Sequence, residues 1–472
     1  MTSSPLSSSP LSSTGPTRTT TSAPLLTLLR RHRRGAPVGV TAVCSAHPLV
    51  LRAAAEQAAQ DGAVLLVEAT SNQVDQFGGY TGMLPGQFRD LVLEIATAAG
   101  LDPGDVVLGG DHLGPQVWRR EGAQVAMAKA EDLVRAYVGA GFTKIHLDCS
   151  MPCAGDEEPL TDEVVARRAA RLARVAEDTA AAIDATDGPV YVIGTEVPVP
   201  GGAHEQIDTL TPTSLEAARA TLAAHRDAFE AAGVGVAWSR VVGLVVQPGV
   251  EFDAHDVFDY VPERTESLRR VVDDGEAPPA LVLEAHSTDY QTRDRLSALV
   301  EDHWAILKVG PGLTFALREA LFALAAIEDQ VVPEARRSHL VEVVARAMDE
   351  DPHWWSGYYE GDETDVRIAR TYSYSDRMRY YWATPEVTAA TDRLLQNLDD
   401  AVVPLTMISA HLPLQYARVR SGDLSPDPRS LAVDRVRDVL RDYAAACRAT
   451  DARSGLDDQE PASHLVTNRS QL

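Results

Sequence analysis

The segment VVLGGDHLGP sets an acid and an imidazole, Asp111 and His112, directly behind an apolar run and two glycines. Glycine permits tight backbone geometry and close approach of a ligand. Adjacent Asp and His can divide labour, the imidazole binding a metal ion while the carboxylate moves a proton. The plain alternative is a structural Asp bonded to loop N–H groups beside a surface His. In LVLEAHSTDYQT, alternation puts Val282, Glu284 and His286 on one face. His286 is either a second metal ligand or a satisfied core histidine. Ser287 and Thr288 follow it as donors for an oxyanion or phosphate. In KIHLDCSMPC the same parity aligns Lys144, His146 and Asp148. Polar groups sharing a buried face must pair or serve a ligand, and a Lys144–Asp148 ion pair is the structural expectation. VIGTEVPVPGG offers Glu196 as a third metal ligand, and VEATSN offers Glu68 as another carboxylate. AILKVGPGLTFALRE carries Lys308 and then Gly310-Pro311-Gly312 ahead of a helical stretch. Such a turn either directs free N–H groups at an anion, phosphate for example, or is an ordinary strand–helix connection.

Asp111, Glu68 and Asp148 are thus the candidate carboxylates for proton transfer, and His112, Glu196 and His286 the candidate metal ligands. Two histidines and one or two carboxylates with an open position suit Zn²⁺ or another divalent ion acting on a carbonyl or enediolate oxygen. Neither GxxxxGK[ST] nor a Rossmann GxGxxG occurs, so kinase or NAD chemistry has little support from motifs. These residues indicate a metal-assisted carbonyl or sugar reaction and name no substrate.

The elements that must position them are eight short apolar runs: Val38–Val43, Ala63–Val67, Val106–Leu108, Lys144–Leu147, Val190–Ile193, Val241–Val246, Ala280–Leu283 and Ala305–Val309. Six stop near residues named above, the first stops at Cys44 with His47 and the sixth at Gln247, and helical-length segments separate them. Eight strand–helix units predict an α/β fold, a (β/α)8 TIM barrel, whose site lies where the strands end. The barrel is expected over 24–330, led in by a short amphipathic helix at 24–34. An additional helical, aromatic-rich C-terminal lobe is expected over 331–449, with helices at Arg337–Met348, Thr384–Leu398 and Leu431–Arg448. Its stretch 351–382 concentrates Trp and Tyr around Arg377 and Arg379. It reads either as a second hydrophobic core or as an interface or site cover in which those arginines bind anions. Residues 1–23 read as a disordered Ser/Thr/Pro tail without the apolar core of a signal peptide, and 450–472 as a flexible end.

Composition bounds the partners. With 45% hydrophobic residues the bulk of the chain can bury a large core. A formal net charge of −25 repels phosphate backbones, which argues against nucleic acid. An anionic substrate would need a local positive pocket or a metal ion. No run of 18 or more apolar residues occurs, so no membrane span is expected. Four sparse cysteines suggest free thiols in a reducing, cytoplasmic setting.

Taken together, VCSAHPLV, VEATSNQVDQFGGYTGM, GGDHLGP, GFTKIHLD, VIGTEVPVPGG, VVQPGVEFD, EAHSTDYQT, LKVGPGLTFALREA and YSDRMRYYW resemble the Z-type subunit family of class II D-tagatose-1,6-bisphosphate aldolase, from about residue 25 to 447. The resemblance implies a (β/α)8 barrel and a role in galactitol, N-acetylgalactosamine or tagatose catabolism. It implies a non-catalytic subunit that supports a separate catalytic class II aldolase subunit, with a sugar-phosphate ligand and an oligomeric assembly. The reaction implied is reversible cleavage of tagatose 1,6-bisphosphate to two triose phosphates. A more distant likeness to catalytic class II aldolases maps their Asp-His pair onto Asp111 and His112, and their late His onto His286. With the glycine turn and the aromatic lobe read above, Ser287, Lys308, Gly310, Gly312 and Arg377 are the candidate phosphate and substrate contacts. Two departures stand out: Gln247 replaces a further zinc histidine, and Asp289 replaces a small residue of the phosphate loop. Gln is a poor zinc ligand beside imidazole. The departures fit either a subunit that has lost aldolase chemistry or a site rebuilt for another reaction, such as epimerisation of a ketose at C4.

Overall fold

The computed structural model describes residues 20–185, 187–195, 210–275 and 277–448. Eight parallel strands close into a barrel: β1 (Val40–Val43), β2 (Leu65–Thr70), β3 (Val106–Leu113), β4 (Lys144–Leu147), β5 (Val190–Ile193), β6 (Val241–Val245), β9 (Val282–Ala285) and β10 (Trp304–Val309). Between β6 and β9 the chain makes a small hairpin, β7 (Glu251–Phe252) and β8 (Val257–Phe258). The (β/α)8 expectation is met, and β1 closes the ring on β10 from Val40 opposite Ile306 to Val43 opposite Val309.

The strand sequences explain the barrel's two layers. Residues of one parity face the helices; those of the other face inward. Low in the barrel the inward set is apolar, with Val40, Ala42, Leu66, Val107, Val190, Val242, Val282 and Ile306 forming one cluster. Helix α1 (Ala23–Arg33) closes this floor with Leu25 and Leu29, both fully buried. One step further up three of the strands the same face turns polar: Leu66 is followed by Glu68, Val282 by Glu284 and Ile306 by Lys308, all buried. Gly109 of β3 makes room for this layer, since a Cβ there would lie 2.7 Å from Cγ of Glu68.

Outside the strands run α2 (Pro48–Asp61), α3 (Pro85–Ala98), α4 (Ala123–Gly139), α5 (Asp162–Ala182), α6 (Leu215–Ala231), α7 (Arg293–Glu301) and α8 (Pro311–Val331). The C-terminal region adds α9 (Leu340–Glu350), α10 (Glu363–Tyr372), α11 (Pro385–Asp399), α12 (Leu405–His411), α13 (Pro413–Ser421) and α14 (Pro428–Cys447). Its buried side chains, among them Met378, Tyr381, Trp382, Leu394 and Leu440, join the barrel's outer core in one continuous cluster. Helix α14 also braces the mouth. The Tyr443 hydroxyl donates to the Thr288 carbonyl at 2.8 Å, fixing the segment that follows β9.

Candidate active site

Strand β3 carries its polar residues within the strand. Asp111 and His112 precede its end at Leu113, and His112 takes a left-handed φ of 50°. That turn aims the ring across the mouth. His112 Nδ1 lies 2.7 Å from Asp148 Oδ2, leaving Nε2 facing Asp111 Oδ1 at 3.6 Å. Asp148 is itself held by the Ser150 hydroxyl, 2.6 Å away. An imidazole oriented by a carboxylate in this way is the usual support of a metal-binding histidine. Ring centroids of His112, His146 and His286 stand 5.0 to 5.3 Å apart. Ligand atoms of Asp111, His112 and His146 form one group close enough to hold an ion, and those of His146, Glu284 and His286 another.

Beneath the imidazoles lies a buried ion cluster. Lys144 Nζ bonds Glu68 at 2.7 Å and Glu284 at 2.8 Å. Lys308 Nζ contacts Asp111 directly, Glu284 at 3.1 Å and Glu68 at 3.8 Å. It also stands 3.1 Å from His286 Nε2. The expected Lys144–Asp148 pair does not form. Four residues along a strand span about 13 Å, so the lysine turns instead to carboxylates on β2 and β9.

Charge follows from these contacts. Burial opposes ionisation of Asp111, but His112 and Lys308 outweigh it and hold the carboxyl well below the usual range. Burial likewise opposes the charge on Lys308, and Asp111, Glu284 and Glu68 push its pKa well above the ordinary value. Burial and Lys308 lower His146 to about 4 and His286 to about 3, so both rings are neutral, the form that binds metal. Burial, Asp111 and Glu68 keep the Cys44 thiol protonated, which removes it as a nucleophile.

Two observations test the fit to a divalent cation. Buried His146 Nε2 has no hydrogen-bond partner, an expensive state for a polar atom. The cluster holds four carboxylates, Glu68, Glu284, Asp111 and, behind His112, Asp148, against the two lysines Lys144 and Lys308, a formal excess of two negative charges. A dication held by Asp111, His112 and His146, or by His146, Glu284 and His286, matches both.

A cavity opens above, lined by Thr70, Gln73, Asp111, His112, His286, Ser287, Asp289, Lys308, Gly310, Arg379 and Tyr380 among others. Of the residues singled out in the sequence, Asp111, His112, His286, Ser287, Lys308 and Gly310 therefore share one chamber, with Glu68 and Asp148 behind its wall. Glu196 and the PVPGGAHEQ loop lie outside the described residues. Gly312 turns its N–H to Asp289, as does Gly310. Arg377 is buried in the aromatic lobe, bonded to the Trp354 carbonyl at 2.7 Å and packed on Tyr358; it is Arg379 that reaches the chamber.

The residues sequence reasoning passed over are His146 and Glu284 as possible ligands, and Lys308 as the centre of the ion cluster. The shared parity of Lys144, His146 and Asp148 was the available signal for the first. Gln247 is spent on its own loop, accepting from the N–H groups of Gly249 and Val250 at 2.8 and 3.0 Å.

A parallel eight-stranded barrel with imidazoles, carboxylates and a lysine gathered at the strand ends defines a (β/α)8 protein with a polar, ion-ready mouth. The chain matches the model of the D-tagatose-1,6-bisphosphate aldolase subunit GatZ/KbaZ-like family over residues 25–448, and it belongs to that family. A solved structure described as a probable tagatose 6 phosphate kinase from Sinorhizobium meliloti 1021 is 49% identical, covers 87% of this chain and 100% of its own, and superposes with a TM-score of 0.79. Fructose-bisphosphate aldolase of Campylobacter jejuni is 13% identical over 81% of this chain and 94% of its own, with a TM-score of 0.42. The YdjI aldolase of Escherichia coli K12 is 9% identical over 79% and 95%, with a TM-score of 0.36. At those scores neither bears on the chemistry.

Proposed function

We propose that this chain carries a metal-dependent aldol-type centre of its own, acting on a ketose or ketose phosphate at the C3–C4 bond. The observation that carries the reading is the convergence of His112 with neutral His146 and His286 and ionised Asp111 in an open chamber. A barrel kept only for its outer surface has no physical need for such a cluster, because buried charge is costly. The bound dication, Zn²⁺ being the best match to the donors, would supply electrophilic polarisation of the substrate oxygens.

This chain's residues would do the rest. Asp111, held by the Thr70 hydroxyl at 3.1 Å, is placed to receive the proton of the C4 hydroxyl. As the C3–C4 bond breaks, its electron pair moves onto C3 and C4 becomes an aldehyde. The Lys308 ammonium stands where it can balance the negative charge gathering on the enediolate oxygens. Glu68, Glu284 and Lys144 fix Lys308 from below, and Asp148 fixes His112. Rebonding to the other face of the aldehyde yields the C4 epimer; protonation at C3 completes cleavage.

A second reading rests on the family description, which names a subunit. In it the chain supports a catalytic class II aldolase partner within galactitol, N-acetylgalactosamine or tagatose catabolism in the cytoplasm. A sugar kinase has less support, since the sequence holds no P-loop motif.

Elemental analysis of the purified chain, with an assay on tagatose, fructose and their phosphates in the absence of any partner, tests the proposal. Stoichiometric metal with turnover is expected. Metal-free, inactive protein that co-elutes with a class II aldolase in gel filtration would replace it with the subunit reading.

A further inference from the structure

The turn at the start of α8 has the form of a phosphate site, yet the chain fills it with its own carboxylate. Gly310 and Gly312 both donate their N–H groups to Asp289 Oδ1, at 2.9 and 2.7 Å. Asp289 is 3% exposed and is delivered by the segment after β9. That segment is tied down on both sides: Thr288 Oγ1 donates to the Lys308 carbonyl at 2.6 Å, and the Tyr443 hydroxyl donates to the Thr288 carbonyl. The turn is also tight around the carboxylate, because a Cβ on Gly312 would stand 3.1 Å from Asp289 Oδ1. Asp289 and Gly310 both line the chamber that holds Asp111, His112, His286 and Lys308. The anion-binding donors nearest the reacting centre are therefore occupied before any substrate arrives.

We propose that Asp289 is a specificity-determining residue that excludes phosphate from the Gly310 turn, so that the end of the substrate lodged there carries a free hydroxyl. A phosphate would bring its own charge against a carboxylate held by the same two donors, a like-charge contact that selects against that partner. A hydroxyl brings no charge and can donate to the carboxylate. The site then takes a free ketose, or a ketose monophosphate whose phosphate points away from α8, in preference to a bisphosphate. This rests on the ketose reading above for the identity of the ligand, but the exclusion of phosphate is measurable without turnover.

The experiment is titration of the full-length chain with inorganic phosphate, following ¹⁵N-glycine resonances, for the wild type and for Asp289→Gly and Asp289→Asn. The wild-type resonances of Gly310 and Gly312 should not move. Asp289→Gly frees both N–H groups and should tighten phosphate binding at the turn by about tenfold or more, given the cost of like charges a few ångströms apart. Asp289→Asn keeps an acceptor for the turn but removes the charge, and should give a smaller gain while retaining the loop contacts, which serves if the glycine variant does not fold. Saturable shifts of Gly310 and Gly312 in the wild type, or no gain in either variant, would overturn the proposal. A kinetic arm separates this from the catalytic reading: kcat/KM for bisphosphate relative to monophosphate should rise in the variants. An inactive wild type that still excludes phosphate would remove the enzyme and leave the role of Asp289 at the turn standing.

Discussion

The floor and the mouth of this barrel are built from the same strands and the same inward-facing parity, yet they obey opposite rules. At the floor, Val40, Leu66, Val107, Val282 and Ile306 fill the interior over Leu25 and Leu29 of α1. Two residues further along, the positions equivalent to three of these are Glu68, Glu284 and Lys308, each at most 4% exposed. The floor stabilises by removing apolar surface from water. The mouth buries ionised groups, which stabilises only while every partner is present. A fold that gained nothing from the mouth would extend the floor upward with valine and isoleucine. The contrast locates function at the level where the two layers meet, between Ile306 and Lys308.

The sharpest way to break the comparison is Lys144→Met. It takes from Glu68 and Glu284 the cation that bridges them at 2.7 and 2.8 Å and leaves both to the more distant Lys308. A loss of about 3–5 kcal/mol in urea unfolding is expected. Replacing Glu68 and Glu284 by Leu in the same chain should recover most of it while abolishing metal uptake. If the single variant is as stable as the wild type, the ion cluster is not the support of the mouth. The floor has its own titratable group. His32 of α1 bonds the Val38 carbonyl and His303, at 2.8 and 2.9 Å, and burial lowers it from 6.5 to about 4. The unfolded chain takes up this proton as the pH falls through 6.5, whereas the folded one does not until about 4. Stability is thus complete above pH 6.5 and is lost toward pH 4, by roughly 3 kcal/mol from this group. The gap between urea midpoints at pH 7.5 and pH 5 should narrow in His32→Gln, the rest coming from other buried histidines such as His146 and His286; an unchanged gap would assign the acid limb elsewhere.

The sequence made the barrel legible because each strand announces itself locally. Lys144–Leu147 and Val190–Ile193 match the runs read from it residue for residue. Strand β3 is longer than its apolar run: GGDHL looks like loop, but Gly109 to Asp111 stay paired with β2 from Glu68 to Thr70. Pairing across strands, which no local pattern reports, keeps them extended. The same limit hid the arrangement of the site. Parity shows that His146 and Glu284 face inward; it cannot show that they meet His112 and His286, which come from other strands. Near the aromatic lobe the ambiguity was one of register. Arg377 and Arg379 lie on one short 3₁₀ turn, and its packing on Trp354 and Tyr358 sends the first into the lobe and the second to the chamber.

Within the mouth, the distinction between holding a ligand and orienting one predicts a graded response. Asp148 touches His112 Nδ1 at 2.7 Å and lies 1% exposed, behind the chamber wall. Asp148→Asn keeps the shape and removes the charge that orients the ring, so metal affinity should fall by about 10–100-fold with the fold intact. Competition with a chromogenic chelator reads this directly. An unchanged affinity would mean that His112 does not hold the ion.

The smallest expected effect is the most discriminating. Ile306 and Lys308 share a strand and a face, and Ile306 is fully buried in the floor cluster. Ile306→Val removes one methylene and should cost about 0.5–1.5 kcal/mol by urea unfolding. Metal content and metal affinity should not change, because the floor contributes no ligand and β10 remains paired with β1 and β9 on either side. Lys308→Met two residues above should do the reverse in character, disturbing the cluster through Asp111, Glu284 and Glu68 at once. If Ile306→Val altered metal affinity as well as stability, packing at the floor would be setting the geometry of the mouth, and the two layers would be one device.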